Sequence, residues 1–309
     1  MTHWFHSMSL QLLLTAALLA SGRVGLRAAG KPMPTDEEVK KIASAVPAKA
    51  TATPAKPRKL LVFTLCKGFY HTSIPWGAKA VELMGQKTRA FEATVTEDIA
   101  FFEPEKLIQF DGVCLMNALG EYFLPDNLSQ LPPAEQATAR QKDERLKKNF
   151  ADYIRGGKGL VAVHGASYSF PEWPEFAVML GGFFDSHPWN GHERLAVRID
   201  EPQHPLNAAF GQCGFEIIDE GYQFKAPYSR TKVRVLMSLD TARMDMNKQN
   251  LRPDGDFGMA WIKRYGQGRV FYNALGHNPE EFWNPALLRH LLDGIQFTLG
   301  DLEAPTEVP

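Results

Sequence analysis

Histidine stands at three places where an apolar run ends. In GKGLVAVHGAS the run Leu160 to Val163 stops at His164, CKGFYHTS places His71 just beyond LLVFTL, and RVFYNALGH closes on His277. Imidazole gives or takes a proton near neutral pH and is the commonest metal ligand, so its placement there points to chemistry. Carboxylates that would complete such a site occur in two further clusters. FFDSHPWNGHE carries Asp185, His187, His192 and Glu193, and IIDEGY carries Asp219 and Glu220. Mixed histidine and carboxylate donors suit zinc or a similar divalent ion, and suit general acid and base work equally well. The spacing matches neither HExxH nor CxxC, so local motif alone does not choose between them. Each histidine taken singly also has a plainer reading. His164 reads as a core imidazole bonded to a backbone carbonyl, DSHPWNGHE and His204 in QHPLN as turns built around His-Pro, and His290 as a flank of the last helix's apolar face. Recurrence at strand ends favours a shared site.

A parallel sheet is what would gather residues so far apart. Leu60 to Leu65 reads as a strand, PWGAKAVELMGQ as a helix opened by Pro75, and Phe91 to Val95 and Asp111 to Met116 as two further strands. RLKKNFADYI repeats apolar residues at 146, 150 and 154, a helical face that stops at Gly156 and Gly157 before the strand carrying His164. This alternation predicts a mostly parallel sheet flanked by helices, with ligands at the carboxyl ends of its strands. After the successive strands come Lys67, His71 and Ser73, then Glu97 and Asp98, then Asn117, then His164. The second half adds strand-like LAVRID, VRVLMSL, MAWIKRY and RVFYNAL, the last two joined by Gly-Gln-Gly as a hairpin, and NPALLRHLLDGIQFTLG as a closing helix.

Composition narrows the class. The chain has 309 residues, 44% of them hydrophobic, and 34 basic against 35 acidic residues, so no charge excess or basic stripe invites nucleic acid. No GxGxxG, GxxxxGK[ST] or GxSxG motif is present, so a nucleotide is not expected. Three scattered cysteines, Cys66, Cys114 and Cys213, make no disulfide framework; Cys114 reads as a buried thiol and Cys66 as another. Leu10 to Ala20 is an apolar run of signal-peptide length, shorter than the roughly 20 residues that span a membrane, although no Lys or Arg precedes it. Residues 1–29 are therefore expected to be a signal peptide or a retained N-terminal anchor that could tether the protein to a membrane, with the product periplasmic or extracellular. Residues 30–58, rich in Ala, Pro and Lys, read as a linker in which Thr35 and Glu38 have capping-box spacing for one short helix. Residues 59–302 read as one domain and 303–309 as a tail.

KLLVFTLCKGFYHTSIP, TED, FDGVCLMNALGEYF, GGKGLVAVHGAS, WPEFAVMLGGFFDSHPW, HPLNAAF, IIDEGYQF and WIKRYGQGRVFYNALGHNPEEFWNP, in that order from Lys59 to Leu302, resemble the trehalose-utilisation (ThuA-like) family. The resemblance implies a flavodoxin-like, class I glutamine amidotransferase-like fold with β-rich additions in the second half. Its characteristic positions fall on His71, His164, His187, Asp219, Glu220 and His277, while His192 lies outside the pattern. It implies a role in disaccharide use, beside oxidoreductases that make 3-keto sugars, and a divalent metal in some members. In the amidotransferases a cysteine nucleophile occupies the turn where VAVHGAS puts His164, and an imidazole cannot form the thioester, so no glutaminase activity is expected.

These readings combine into one expectation. His164, His71, Glu220 and Asp219 are the candidate catalytic residues, and His71, His164, His187 and His277 the candidate ligands of a divalent metal, zinc foremost. The substrate would be a sugar or keto-sugar, processed by hydrolysis, lyase chemistry or isomerisation. The alternatives are a carbohydrate-binding module, with Trp76, Trp173, Trp189 and Trp283 stacking on sugar rings, and a partner-binding module on an inert scaffold.

Overall fold

The continuous apolar runs form the strands at the centre of the sheet. In the computed structural model, which describes residues 31–309, these are β1 (Lys59–Phe63), β3 (Gly112–Met116) and β4 (Gly159–Val163). Every residue of β3 and β4 is buried, as expected of strands covered on both faces. With the edge strand β2 (Glu92–Thr96) and the late strand β11 (Gly268–Asn273) they run parallel in the order β2-β1-β3-β4-β11, the 2-1-3-4-5 order of flavodoxin-like sheets. The sheet continues antiparallel through β10 (Gly258–Tyr265), β9 (Arg234–Leu239), β6 (Arg194–Ile199) and β7 (Phe215–Ile218). This mixed sheet is the α/β fold expected, with its β-rich additions in the second half.

Helices α2 (Ile74–Thr88), α3 (Pro104–Leu107), α4 (Pro133–Arg155), α5 (Pro174–Leu180) and α6 (Pro285–Thr298) connect and flank the strands. Each opens on or near a proline, whose missing N–H costs nothing in a first turn. A separate two-stranded ribbon, β5 (Phe183–Trp189) against β8 (Gly221–Lys225), was not expected from the sequence. The polar run Asp-Ser-His-Pro and two irregularities of register in β5 hide its alternation, so the stretch around His187 is strand where a His-Pro turn was an open alternative.

The segment read as a linker is packed. Thr35 and Glu38 form the capping box that opens α1 (Asp36–Ala45), and Ile42 and Val46 are buried in the core beside α2. Downstream, the backbone amides of Thr51 and Ala52 donate to Gln296 Oε1 (2.7 and 3.1 Å), Thr51 Oγ1 bonds Asp293, and Arg58 pairs with Asp301 at 2.6 Å. Two apolar side chains and a row of hydrogen bonds onto α6 and Asp301 beyond it do what composition alone cannot reveal. The tail is tied as well, by Arg234 Nη1 to the Glu307 carbonyl at 2.7 Å. Ile42→Ala should lower the unfolding free energy by about 2–4 kcal/mol in denaturant titration, whereas a free linker would show no change.

The expected signal or anchor segment, residues 1–29, lies outside the described residues. Among those described, no helix is long and apolar enough to cross a membrane. Cys114 is fully buried, and burial pushes its thiol up to about 12; Cys66 is half-buried and Cys213 exposed, all three unlinked. His204 caps the turn at Pro205–Phe210 and accepts from the Leu206 amide, and His290 is a core histidine that donates from Nδ1 to the Leu206 carbonyl at 2.7 Å.

Candidate functional site

Because β1, β3, β4 and β11 run in one direction, the residues that follow them meet at one edge. His71 comes from the loop after β1, His164 is the first residue beyond β4, and His277 follows β11. Their ring centroids lie 4.7 Å (His71 to His164), 5.3 Å (His71 to His277) and 5.4 Å (His164 to His277) apart. His164 has φ +48°, the left-handed conformation of a tight elbow, and Gly165 behind it makes room: a Cβ there would sit 2.8 Å from His71 Cε1.

The end of β3 ties these loops together. Asn117, itself at φ +52° and fully buried, accepts from the Gly165 amide at 2.8 Å and donates to Ser73 Oγ at 3.2 Å and to the Gly276 carbonyl at 3.1 Å. Ser73 Oγ donates to the same carbonyl at 2.7 Å. Each partner sits one or two residues from one of the three histidines.

The short connection between β7 and β8 supplies the carboxylates. Asp219 is fully buried and turned away from the cavity. Its oxygens accept from the backbone amides of Glu220 (2.7 Å), Gly276 (3.0 Å) and His277 (3.2 Å), and burial together with the Asp219 charge raises the neighbouring Glu281 carboxyl above the usual carboxylate range. The acid and base role expected of Asp219 would therefore fall on a carboxylate already engaged by three backbone amides. Glu220 is the carboxylate that faces the histidines. Its Oε2 lies 3.0 Å from His277 Nδ1 and 3.3 Å from His164 Nε2, and its Oε1 lies 3.2 Å from His187 Nδ1.

Donor atoms of His71, His164, Glu220 and His277 all lie within 4.8 Å of one another. His187 belongs to the rim: its side chain is 46% exposed and it reaches the cluster through Glu220. The ligand set expected from sequence thus loses His187 from its inner group and gains Glu220.

Protonation follows from the neighbours. Burial, reinforced by the adjoining His164 and His277, lowers the His71 pKa to about 2, so its imidazole is neutral. Burial works against charge on Glu220 and on His277 alike, but their mutual hydrogen bond outweighs it. Glu220 is held below the usual carboxylate range and His277 above the usual histidine range. His164 Nδ1 lies 2.6 Å from the Ala274 carbonyl and must donate to it, which leaves Nε2 with a lone pair. Tyr222 Oη, 2.8 Å away, donates to that lone pair.

This arrangement fits a cation. His164 Nε2 and Glu220 Oε2 are two acceptors in contact, and His71 Nδ1 is buried without a hydrogen-bond partner. Tetrahedral zinc bonds of about 2.0–2.1 Å place ligand atoms about 3.3 Å apart, the separation of the Glu220 and His164 atoms.

The cluster lies in a cavity of about 490 Å³ whose lining includes Lys67, Phe69, Tyr168, Phe184, His192 and Tyr222. Among the described residues no tryptophan lines it. Trp76 and Trp189 are buried, Trp173 packs on Phe170 and Phe176, and Trp283 lies under Lys41, while the exposed aromatic rings of the lining are Phe69, 67% exposed, and Tyr168, 41% exposed. Asp185 is bonded to Gln223, Glu193 to Lys248, and Asp98 to the Ala100 amide, all away from the cluster. Tyr222 had no signal of its own in the sequence beyond its place in IIDEGYQF.

A family model described as "ThuA: Trehalose utilisation" matches residues 59–298. The chain belongs to the ThuA family. Membership associates it with carbohydrate metabolism, and solved structures agree on the fold. A ThuA-like protein from Bacteroides uniformis superposes with a TM-score of 0.59 at 23% identity, covering 80% of this chain and 94% of that one. A ThuA-like protein from Parabacteroides merdae gives 0.56 at 17% identity, over 82% and 94%. A cytoplasmic protein from Salmonella typhimurium gives 0.51 at 13% identity, over 78% and 98%. No match was found among curated proteins. At these identities the likeness is one of architecture, and the ThuA chain's own site must carry its chemistry.

Proposed function

We infer that this ThuA-family chain is an exported, metal-dependent enzyme that acts on a disaccharide or a 3-keto glycoside. The observation that carries the reading is the convergence of three imidazoles and one carboxylate, their donor atoms within 4.8 Å, at the floor of a cavity large enough for a sugar. His71, His164, Glu220 and His277 would hold the ion, with zinc the best fit to three nitrogens and one oxygen. A divalent ion bound there would polarise a carbonyl oxygen or sharpen a water as a nucleophile.

The remaining chemistry belongs to the protein. His187, oriented at Nδ1 by Glu220 Oε1 and half exposed to the cavity, is placed to take or give a proton at Nε2. Phe69 and Tyr168 offer apolar surfaces to a sugar ring, and Asn190 and His192 offer hydrogen-bonding groups to its hydroxyls. His164 in place of a thiol nucleophile leaves no route to a thioester, so glutamine hydrolysis is not part of the reading. Export rests on the apolar run Leu10 to Ala20.

The test is to measure zinc, manganese and iron in the purified protein and follow turnover of 3-keto disaccharides before and after chelation. A stoichiometric metal and a turnover lost on chelation and restored by zinc are the expected results. Metal-free protein that binds sugars without consuming them would replace this reading with that of a carbohydrate-binding module.

A further inference from the structure

Tyr222 occupies the one atom through which His164 could serve a metal. It is the second residue of β8, its ring lies over the His164 imidazole with centroids 4.2 Å apart and planes 26° from parallel, and the edge of Phe184 holds it at 4.6 Å. The hydroxyl is 2.8 Å from His164 Nε2. Since His164 Nδ1 is committed to the Ala274 carbonyl, Nε2 has a single lone pair, and the tyrosine and a metal ion compete for it.

Resting on the metal-dependent reading above, we propose that Tyr222 is a latch: it caps His164 Nε2 in the metal-free protein and, once a metal takes that lone pair, turns its O–H to the ligand beside the ion. Geometry limits where the released hydroxyl can go. Glu220 faces His277 with one oxygen and His187 with the other and lies within reach of the hydroxyl, and the tyrosine itself lines the cavity. The hydroxyl would supply a hydrogen bond to a substrate oxygen next to the ion, fixing which oxygen is presented.

The proposal makes the metal-free hydrogen bond a cost of loading. Tyr222→Phe removes that cost and keeps the stacked ring, so its zinc affinity, measured by competition with a chromogenic chelator, should rise about two- to tenfold over wild type. In wild-type protein labelled at tyrosine Cζ, one of the eight tyrosine carbon resonances should shift on adding zinc, and that resonance should be missing from Tyr222→Phe. Both results are required. Wild type that binds zinc while Tyr222→Phe binds it equally or more weakly, or while no tyrosine resonance moves, overturns the latch and leaves the metal site standing. Failure of wild type to bind zinc overturns both.

Discussion

Removing the His164 imidazole should abolish tight zinc binding. Four-ligand structural sites hold zinc with apparent free energies of about 10–16 kcal/mol, so one ligand is worth about 3–4 kcal/mol, or on the order of 10²–10³ in affinity. His164→Ala and Glu220→Ala should each show that loss in chelator competition at neutral pH, and turnover should fall with metal occupancy. His187→Ala is the informative contrast. His187 is 46% exposed and reaches the cluster only through Glu220 Oε1, so its removal should weaken zinc by tenfold or less while turnover at full zinc occupancy drops by about 10²–10⁴, the range of a lost general acid or base. Equal losses of affinity for His164→Ala and His187→Ala would show that the inner set is wrongly drawn. Because His164 also partners Tyr222 and the Ala274 carbonyl, melts of the metal-free variants must accompany the titration. A destabilisation of about 1–3 kcal/mol is expected for His164→Ala, and the zinc measurement belongs well below its melting temperature.

The parallel half of the molecule was legible because its signals are strong and local. LLVF, VCLM and LVAV are continuous apolar runs, and a parallel strand buried on both faces leaves little else for such runs to be. Once those strands are parallel, the meeting of His71, His164 and His277 follows from topology alone. The ribbon of β5 and β8 was not legible, since it is short, irregular in register and built around Asp-Ser-His-Pro, and its sequence neighbours do not say which strand it pairs with. The assignments that depend on that ribbon shifted accordingly. Which of Asp219 and Glu220 faces the histidines is a question of peptide orientation at the β7–β8 turn. The answer lies in three backbone amides that claim Asp219, none of which the sequence could pair with it. Tyr222 was hidden for the same reason, an aromatic at a core-like spacing in an unrecognised strand. Residues 30–58 read as a linker on composition, but between Thr51 and Ala55 side-chain acceptors at Gln296 and Asp301 hold the backbone in spite of the shortage of apolar surface.

Asn117 is the residue on which the geometry of the site turns, although it touches no candidate ligand atom. Its amide joins the loop after β1, the elbow after β4 and the loop after β11, and it does so from a left-handed backbone conformation that asparagine tolerates better than most residues. Asn117→Ala should leave the buried Gly165 amide without its partner, at about 1–3 kcal/mol, while Ser73 Oγ still serves the Gly276 carbonyl, and add about 1 kcal/mol of backbone strain. A loss of about 2–4 kcal/mol in unfolding free energy and a 10–100-fold fall in zinc affinity are expected. Asn117→Gly separates the two causes, since glycine adopts φ near +52° without strain yet supplies no hydrogen bonds. If the amide is what aligns the three histidine loops, the glycine variant recovers only the strain contribution and remains weak for zinc. Asn117→Asp keeps the acceptor for Gly165 but sets a carboxylate against the Gly276 carbonyl, so it should impair zinc binding as severely as alanine. A glycine variant that melts and binds zinc like wild type would show that backbone conformation alone builds the site, and that the three loops hold their histidines in place without the tie between them.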